Sequence, residues 1–88
     1  MSIQVEVFTA PGCGKCGRAR TVLEAAIKGF PGSTISWREV NILEEIDYAV
    51  QLGVLSTPAI AIDGELVFTA LPSEKKLCRA LQRRLEGA

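Results

Sequence analysis

Two cysteines three positions apart are the residues of this chain best suited to chemistry. They form the run Cys13-Gly14-Lys15-Cys16, which lies between a strand-like segment and a helix-like one. Where such a pair opens a helix, unpaired N–H groups and the positive helix end favour a thiolate. In such surroundings the pKa of a cysteine falls from about 8.5 to about 7 or lower. We therefore predict thiol–disulfide exchange, with Cys13 as the nucleophile and Cys16 as the resolving thiol.

The same pair also fits a metal site, because two cysteines supply half of the four ligands that structural zinc normally takes. The chain has no histidine, so only Cys78 or carboxylates could complete that site. Cys78 falls on the apolar stripe of the last predicted helix, where we expect it to pack in the core. We favour redox chemistry and predict no metal and no cofactor. The alternative is a non-catalytic module that binds metal or changes partners on oxidation.

Composition and charge exclude several other classes of protein. The chain has 88 residues, 48% of them hydrophobic, with ten basic and ten acidic side chains. These values predict one domain over residues 1–88, and the balanced charge argues against a nucleic-acid partner. No apolar run approaches the length of about 18 residues that spans a membrane, and the first residues lack the pattern of a secretory signal. We expect a cytoplasmic monomer that does not bind membranes.

The segments around the cysteine pair follow the order β-α-β-α-β-β-α. Their apolar spacing predicts strands over 3–8, 34–40, 57–62 and 65–70, and helices over 14–28, 43–52 and from 72 onwards. A helix between the first two strands makes them parallel, as in a βαβ unit. Asp63-Gly64 separates the last two strand segments and is a strong signal for a two-residue hairpin.

With these elements in place, the chain resembles the thioredoxin superfamily over essentially its whole length. Residues 5–13 are similar to the approach to a glutaredoxin active site. Residues 53–59, with Ile62-Asp63-Gly64 and Leu71-Pro72-Ser73, are similar to the small redox-active disulfide proteins of archaea and bacteria. The resemblance implies an α/β, thioredoxin-like fold with a four-stranded mixed sheet flanked by three helices. It also implies a protein-disulfide oxidoreductase or electron carrier, with protein disulfides as substrates and a thioredoxin-reductase-like flavoenzyme as electron donor.

The resemblance further implies a substrate-binding role for Thr57 and Pro58. It predicts that the bond between them is cis and faces the cysteine pair, which the local sequence alone does not show. The backbone of Thr57 is then expected to pair with an extended substrate alongside Cys13. Pro58 has no N–H and no metal-binding side chain, so it keeps other ligands away from the thiols.

Two departures separate this chain from the better-known branches of the superfamily. Thioredoxins carry an aspartate six residues before the nucleophile, and Val7 stands at that position here. Glu6 should point to the opposite face of the strand, so we do not assign it as a general base. Glutaredoxins hold glutathione with a Gly-Gly pair after the last strand, where this chain has Thr69-Ala70-Leu71-Pro72. We therefore expect no glutathione site.

Gly14 and Lys15 are the residues that we expect to tune the redox couple. Lys15 replaces the proline found inside the thioredoxin motif, so it places a cation and a free N–H between the two thiols. Both favour the thiolate of Cys13 and hence the reduced form. The sequence therefore predicts a couple more oxidising than the value of about −270 mV that is typical of thioredoxin.

Overall fold

The computed structural model describes residues 2–32 and 34–87. Its strands are β1 (Ile3–Thr9), β2 (Ile35–Asn41), β3 (Ala59–Ile62) and β4 (Glu65–Phe68), and its helices are α1 (Cys16–Ile27), α2 (Ile46–Leu52) and α3 (Glu74–Gly87). Along the chain they follow the order β-α-β-α-β-β-α, which confirms the order predicted from the sequence. Ser33, which lies in the predicted loop before the second strand, is outside the described residues.

The four strands form one mixed sheet in the order β2-β1-β3-β4. β1 and β2 are parallel, with Ile3 beside Ile35 and Thr9 beside Asn41, as the βαβ prediction requires. β3 runs antiparallel to both β1 and β4. β1 therefore lies inside the sheet, and its last residues meet the end of β2 and the beginning of β3.

Hydrophobic clusters cover both faces of the sheet. On one face, Val5 and Val7 of β1 pack with Leu23 of α1 and with Leu77 and Leu81 of α3. On the other, the core is formed by residues of β1, β2, α2 and β3, namely Phe8, Val40, Ala49, Ala59 and Ala61. β1 is buried on both faces for this reason, and its polar residues Glu6 and Thr9 are buried with hydrogen-bond partners.

Helix α1 begins at Cys16, two residues later than predicted. The N–H of Cys13 donates to the carbonyl of Ala10 in a turn, and the N–H of Ala19 donates to the carbonyl of Lys15 at 3.0 Å in the first helical turn. Cys13 therefore lies in the turn that leads into the helix. Only Cys16 occupies the helix start that the prediction gave to the pair.

Helix α2 begins at Ile46, three residues later than predicted, because Asn41 holds the preceding segment in a turn. Its side-chain Oδ1 accepts a hydrogen bond from the N–H of Leu43 at 2.9 Å. Its carbonyl accepts hydrogen bonds from the N–H groups of Glu44 and Glu45. Asparagine side chains commonly stabilise turns in this way.

The two strands that the sequence predicts after α2 are each shorter in the structure. β3 begins at Ala59 rather than at residue 57, since Pro58 has no N–H to offer the ladder. The hairpin between β3 and β4 turns through Asp63 (φ 51°) and Gly64 (φ 79°), which confirms the predicted two-residue turn. No helix in the described part of the chain is both long and apolar enough to cross a bilayer.

Candidate active site

Cys13 and Cys16 are joined by a disulfide bond, with their Cα atoms 5.6 Å apart. Cys16 is the first residue of α1 and is only 5% exposed. Cys13 lies in the preceding turn and is partly accessible. Of the two sulfurs, that of Cys13 is therefore the one that a large molecule can approach.

The start of α1 has no negative group to offset the positive helix end. Lys15 occupies the N-cap without a side-chain hydrogen bond to the helix, and the first turn contains no acidic residue. Lys15 and Arg18 are exposed, and neither forms an ion pair within the described residues. Most helices place a capping oxygen or a carboxylate here. This arrangement instead favours an anion at the neighbouring cysteines.

The two glycines around Cys13 have different roles. Gly12 adopts a φ of +79°, a left-handed conformation that favours glycine. Gly14 does not, and a Cβ built on it would meet nothing within 4 Å. Gly12 therefore shapes the turn, whereas the space over Gly14 is open beside the disulfide.

Thr57 and Pro58 lie at the end of the sheet from which the cysteine segment departs. Ala59 is paired with Phe8, so the residues just before β3 lie beside the end of β1. The Thr57–Pro58 peptide bond is cis, Pro58 is buried and Thr57 is partly exposed. The topology thus brings this segment and the cysteine turn to one edge of the molecule.

An apolar side chain and a groove adjoin that edge. Leu55 is 97% exposed, although large apolar side chains are usually covered. It lines a groove of about 310 Å³ together with residues from α2's end to β4's end, namely Gly53, Val54, Ser56, Ala59, Leu66 and Thr69. The surface beside Thr57 is therefore partly apolar.

A hydrogen-bonded network of Glu39, Thr9 and Arg20 lies near the cysteine turn, and the sequence did not predict it. Oε2 of Glu39 accepts hydrogen bonds from Oγ1 of Thr9 at 2.9 Å and from Nη1 of Arg20 at 3.0 Å. Glu39 lies on β2 as the register partner of Val7. The sequence pattern of β2 does not indicate this contact. It depends on the register of two strands and on the helix that crosses between them.

A second polar cluster lies on the α2 face of the sheet, where the sequence placed Glu6. The Glu6 side chain is 7% exposed, and Oε2 accepts hydrogen bonds from Nε and Nη2 of Arg38 at 2.9 and 2.6 Å. Its Oε1 accepts a short hydrogen bond from the hydroxyl of Tyr48. The bond to Glu6, aided by burial, raises the pKa of Tyr48, and the same carboxylate raises the pKa of Arg38. Both oxygens of Glu6 therefore have hydrogen-bond donors.

Cys78 lies too far from the cysteine pair to share a ligand with it. It is a partly exposed residue of α3, and its Sγ is 3.9 Å from the carbonyl of Ala26. Ala26 is ten residues beyond Cys16 on α1, which corresponds to about 15 Å along the helix. Cys78 therefore packs between the two helices and does not complete a metal site at Cys13 and Cys16.

Comparisons with known proteins agree with this geometry. Residues 1–82 match the family described as the thioredoxin domain. A probable thioredoxin of Methanothermobacter thermautotrophicus is 35% identical over 98% of this chain and 100% of its own length. A thioredoxin of Methanocaldococcus jannaschii is 29% identical, with 94% of this chain and 96% of the relative covered.

Solved structures show the same fold. A mutant thioredoxin from Halobacterium salinarum superposes with a TM-score of 0.77 at 22% identity, covering 93% of this chain and 74% of the other. Thioredoxin-2 of the malaria parasite gives a TM-score of 0.79 at 20% identity, covering 93% and 82% of the two chains. With the family match over most of its length and its cysteine disulfide at the start of α1, the chain belongs to the thioredoxin family and is a thiol–disulfide oxidoreductase.

Proposed function

We propose that the protein is a protein-disulfide reductase and electron carrier that uses Cys13 and Cys16 as its dithiol couple. One observation carries the proposal: the two residues form a disulfide in which Cys13 is accessible and Cys16 is buried at an uncompensated helix start. Exchange needs one sulfur that substrates can reach and one that is protected from them. The pair supplies both.

The proposed reaction runs in two exchange steps. The Cys13 thiolate attacks one sulfur of a substrate disulfide, forming a mixed disulfide and releasing the other substrate sulfur as a thiolate. Cys16 then loses its proton and attacks the Cys13 sulfur, which releases the second substrate thiolate. The substrate gains two electrons and, once its thiolates are protonated, two protons. The protein loses two electrons and the proton of Cys16, and it is left with the Cys13–Cys16 disulfide. Because Cys13 reacts as a thiolate, the second proton on the substrate comes from solvent.

The Thr57–Pro58 segment supports an extended protein substrate. A chain lying along Thr57 can exchange backbone hydrogen bonds with it, while Pro58 offers no competing N–H. Leu55 and its groove provide an apolar contact beside this position. We assign Thr57 and Pro58 to substrate binding, and Gly14 and Lys15 to access and charge at the thiols.

The cycle closes when a dithiol donor reduces the Cys13–Cys16 disulfide. We assign this step to a thioredoxin-reductase-like flavoenzyme, because two electrons must be delivered to a protein disulfide. Thr69-Ala70-Leu71-Pro72 offers no glycine pair near the site, so glutathione is not the proposed donor.

Trapping of intermediates tests the division of labour between the cysteines. Cys16→Ser keeps the nucleophile and removes the resolving thiol, so it should accumulate a mixed disulfide with a model protein disulfide. Cys13→Ser should form none and should lack reductase activity. Trapping by Cys13→Ser alone would reverse the assignment.

Thiol titration with metal analysis tests the proposal against a metal-binding module. The reduced protein should titrate three thiols and the mildly oxidised protein one, Cys78, with no stoichiometric metal in either. Bound zinc that protects both Cys13 and Cys16 from oxidation would overturn the proposal. Reversible disulfide formation without turnover of a model protein disulfide would favour a redox-responsive interaction module.

A further inference from the structure

Glu39 forms an ion pair beside the cysteine turn that the exchange reaction described above does not use. The carboxylate binds Arg20 of α1 and Thr9 of β1 through the same oxygen, Oε2. Thr9 is 5% exposed, so one end of this network is anchored in the core. The network joins three elements, β1, β2 and α1, with Glu39 at its centre.

The network lies close to both cysteines along the chain. Arg20 is four residues after Cys16 on α1, and residues at this spacing lie about 5–6 Å apart at their Cβ atoms on one helix face. Thr9 is the last residue of β1 and precedes the turn that carries Cys13. A change of charge at Arg20 or Glu39 is therefore close enough to act on the dithiol through space.

The charged groups nearest to Cys16 along the chain are all basic. They are Lys15 at the N-cap of α1 and Arg18 and Arg20 in its first turns. Neither the 53–58 segment before β3 nor the 69–72 segment after β4 has a charged side chain. The neighbouring elements carry charges of both signs. They are Arg38 and Glu39 on β2, with Arg38 paired to Glu6 and Glu45, then Glu44, Glu45 and Asp47 after β2 on the α2 face, and Glu74, Lys75 and Lys76 at the start of α3.

We propose that Glu39 is a positioning residue for the redox couple: by pairing with Arg20, it keeps the charge of that guanidinium from acting on the thiols. This inference rests on the proposed function of Cys13 and Cys16. At the cysteine sulfurs, the electrostatic effects of the two opposite charges of the pair largely cancel. Loss of either partner leaves an uncompensated charge one helical turn from Cys16.

The two partners have opposite effects on the couple when they are unpaired. A free Arg20 favours thiolates and hence the reduced form, so it makes the couple more oxidising. A free Glu39 disfavours thiolates and makes the couple more reducing. The side chains are 40% and 41% exposed, so water screens both effects and keeps them modest.

Glu39→Gln, Arg20→Gln and the double variant test the proposal by equilibration with a reference dithiol at low ionic strength. Glu39→Gln should shift the equilibrium constant about threefold towards the reduced protein, which is about 14 mV at about 30 mV per tenfold change. Arg20→Gln should shift it about threefold in the opposite direction. The double variant should return close to the wild-type value, because the two opposite shifts add to nearly zero.

Glu65→Gln is the matched control. It breaks the exposed ion pair between Glu65 and Arg84, which lies beside the hairpin after β3, and it should leave the equilibrium constant unchanged. The shifts of Glu39→Gln and Arg20→Gln should also shrink as salt is raised from about 10 mM to about 1 M, where the Debye length falls from about 30 to about 3 Å. A purely structural role for the pair predicts neither opposite signs nor this salt dependence.

Shifts of the same sign for Glu39→Gln and Arg20→Gln, no shift in either, or an equal shift for Glu65→Gln would overturn the inference. A different result would contradict the proposed function, namely the absence of a reversible Cys13/Cys16 couple in the wild-type protein. Turnover of a model protein disulfide is measured on each variant, so the two failures are separated.

Discussion

Glu6 on β1 and Arg38 on β2 are direct neighbours in the parallel register, and Arg38 donates two hydrogen bonds to one oxygen of the Glu6 carboxylate. The other oxygen is bound by Tyr48, which reaches the sheet from α2. Arg38 also pairs with Glu45, at the start of α2, at 3.3 Å. This cluster therefore fastens α2 to the β1–β2 half of the sheet with directional contacts, in addition to the apolar contacts of Phe8 and Ala49.

Tyr48 should make the stability of the protein fall at alkaline pH. Its pKa is raised in the folded protein because the neutral hydroxyl donates to Glu6, and burial adds to the effect. A raised pKa means that the stabilisation is fully present below the ordinary tyrosine value of about 10 and is lost as pH rises through the higher folded value. The free energy of unfolding in urea, measured between pH 8 and about 11, should fall more steeply for the wild type than for Tyr48→Phe.

Tyr48 is the single tyrosine of the chain, so its phenolate absorbance reports this ionisation directly. The midpoint should lie above the ordinary value in the folded protein and return to about 10 in denaturant. At neutral pH, Tyr48→Phe should cost about 1–2 kcal/mol, because Glu6 stays buried with one donor fewer. A folded midpoint at or below the denatured one would contradict the hydrogen bond.

Gly12 and Gly14 should respond differently to the same substitution. Gly12→Ala places a Cβ at a φ of +79° and should destabilise the reduced protein by about 1–2 kcal/mol. Gly14→Ala meets open space without positive φ, and it should change stability by less than about 0.5 kcal/mol. Urea unfolding of both reduced proteins makes the comparison, with Gly14→Ala as the control. Equal losses would mean that the turn conformation at Gly12 is not what requires glycine.

The order of the elements was predictable because the signals for it are local. Alternation over β1, helical spacing after Cys16 and the Asp63-Gly64 turn each depend on a few consecutive residues. The first residues of α1 and α2 were not predictable in this way, because hydrogen bonds to Ala10 and Asn41 hold the preceding segments in turns. Such turns replace the first helical turn, and the spacing of apolar residues does not show where this happens.

The polar contacts of β1 and β2 were less accessible to sequence reasoning than the cysteine pair. Alternation correctly placed Glu6 and Val7 on opposite faces, yet it gave no sign that Glu6 is buried with two partners. The contact between Glu39 and Arg20 needs the β1–β2 register and the path of α1, which are fixed only by tertiary packing. Spacing identifies the reacting residues, whereas the charges around them depend on which elements meet.

Lys15 should make the couple more oxidising, since it adds a cation at the N-cap of α1 between the two cysteines. Lys15→Gln removes that charge, destabilises the thiolate form and should shift the equilibrium with a reference dithiol two- to fivefold towards the disulfide. This corresponds to about 10–20 mV at about 30 mV per tenfold change. Lys28→Gln is the matched control, because Lys28 is the C-cap of the same helix, about 20 Å away along its axis. The wild-type couple should lie above about −270 mV. A lower wild-type value, or equal shifts for Lys15→Gln and Lys28→Gln, would show that Lys15 does not set the potential.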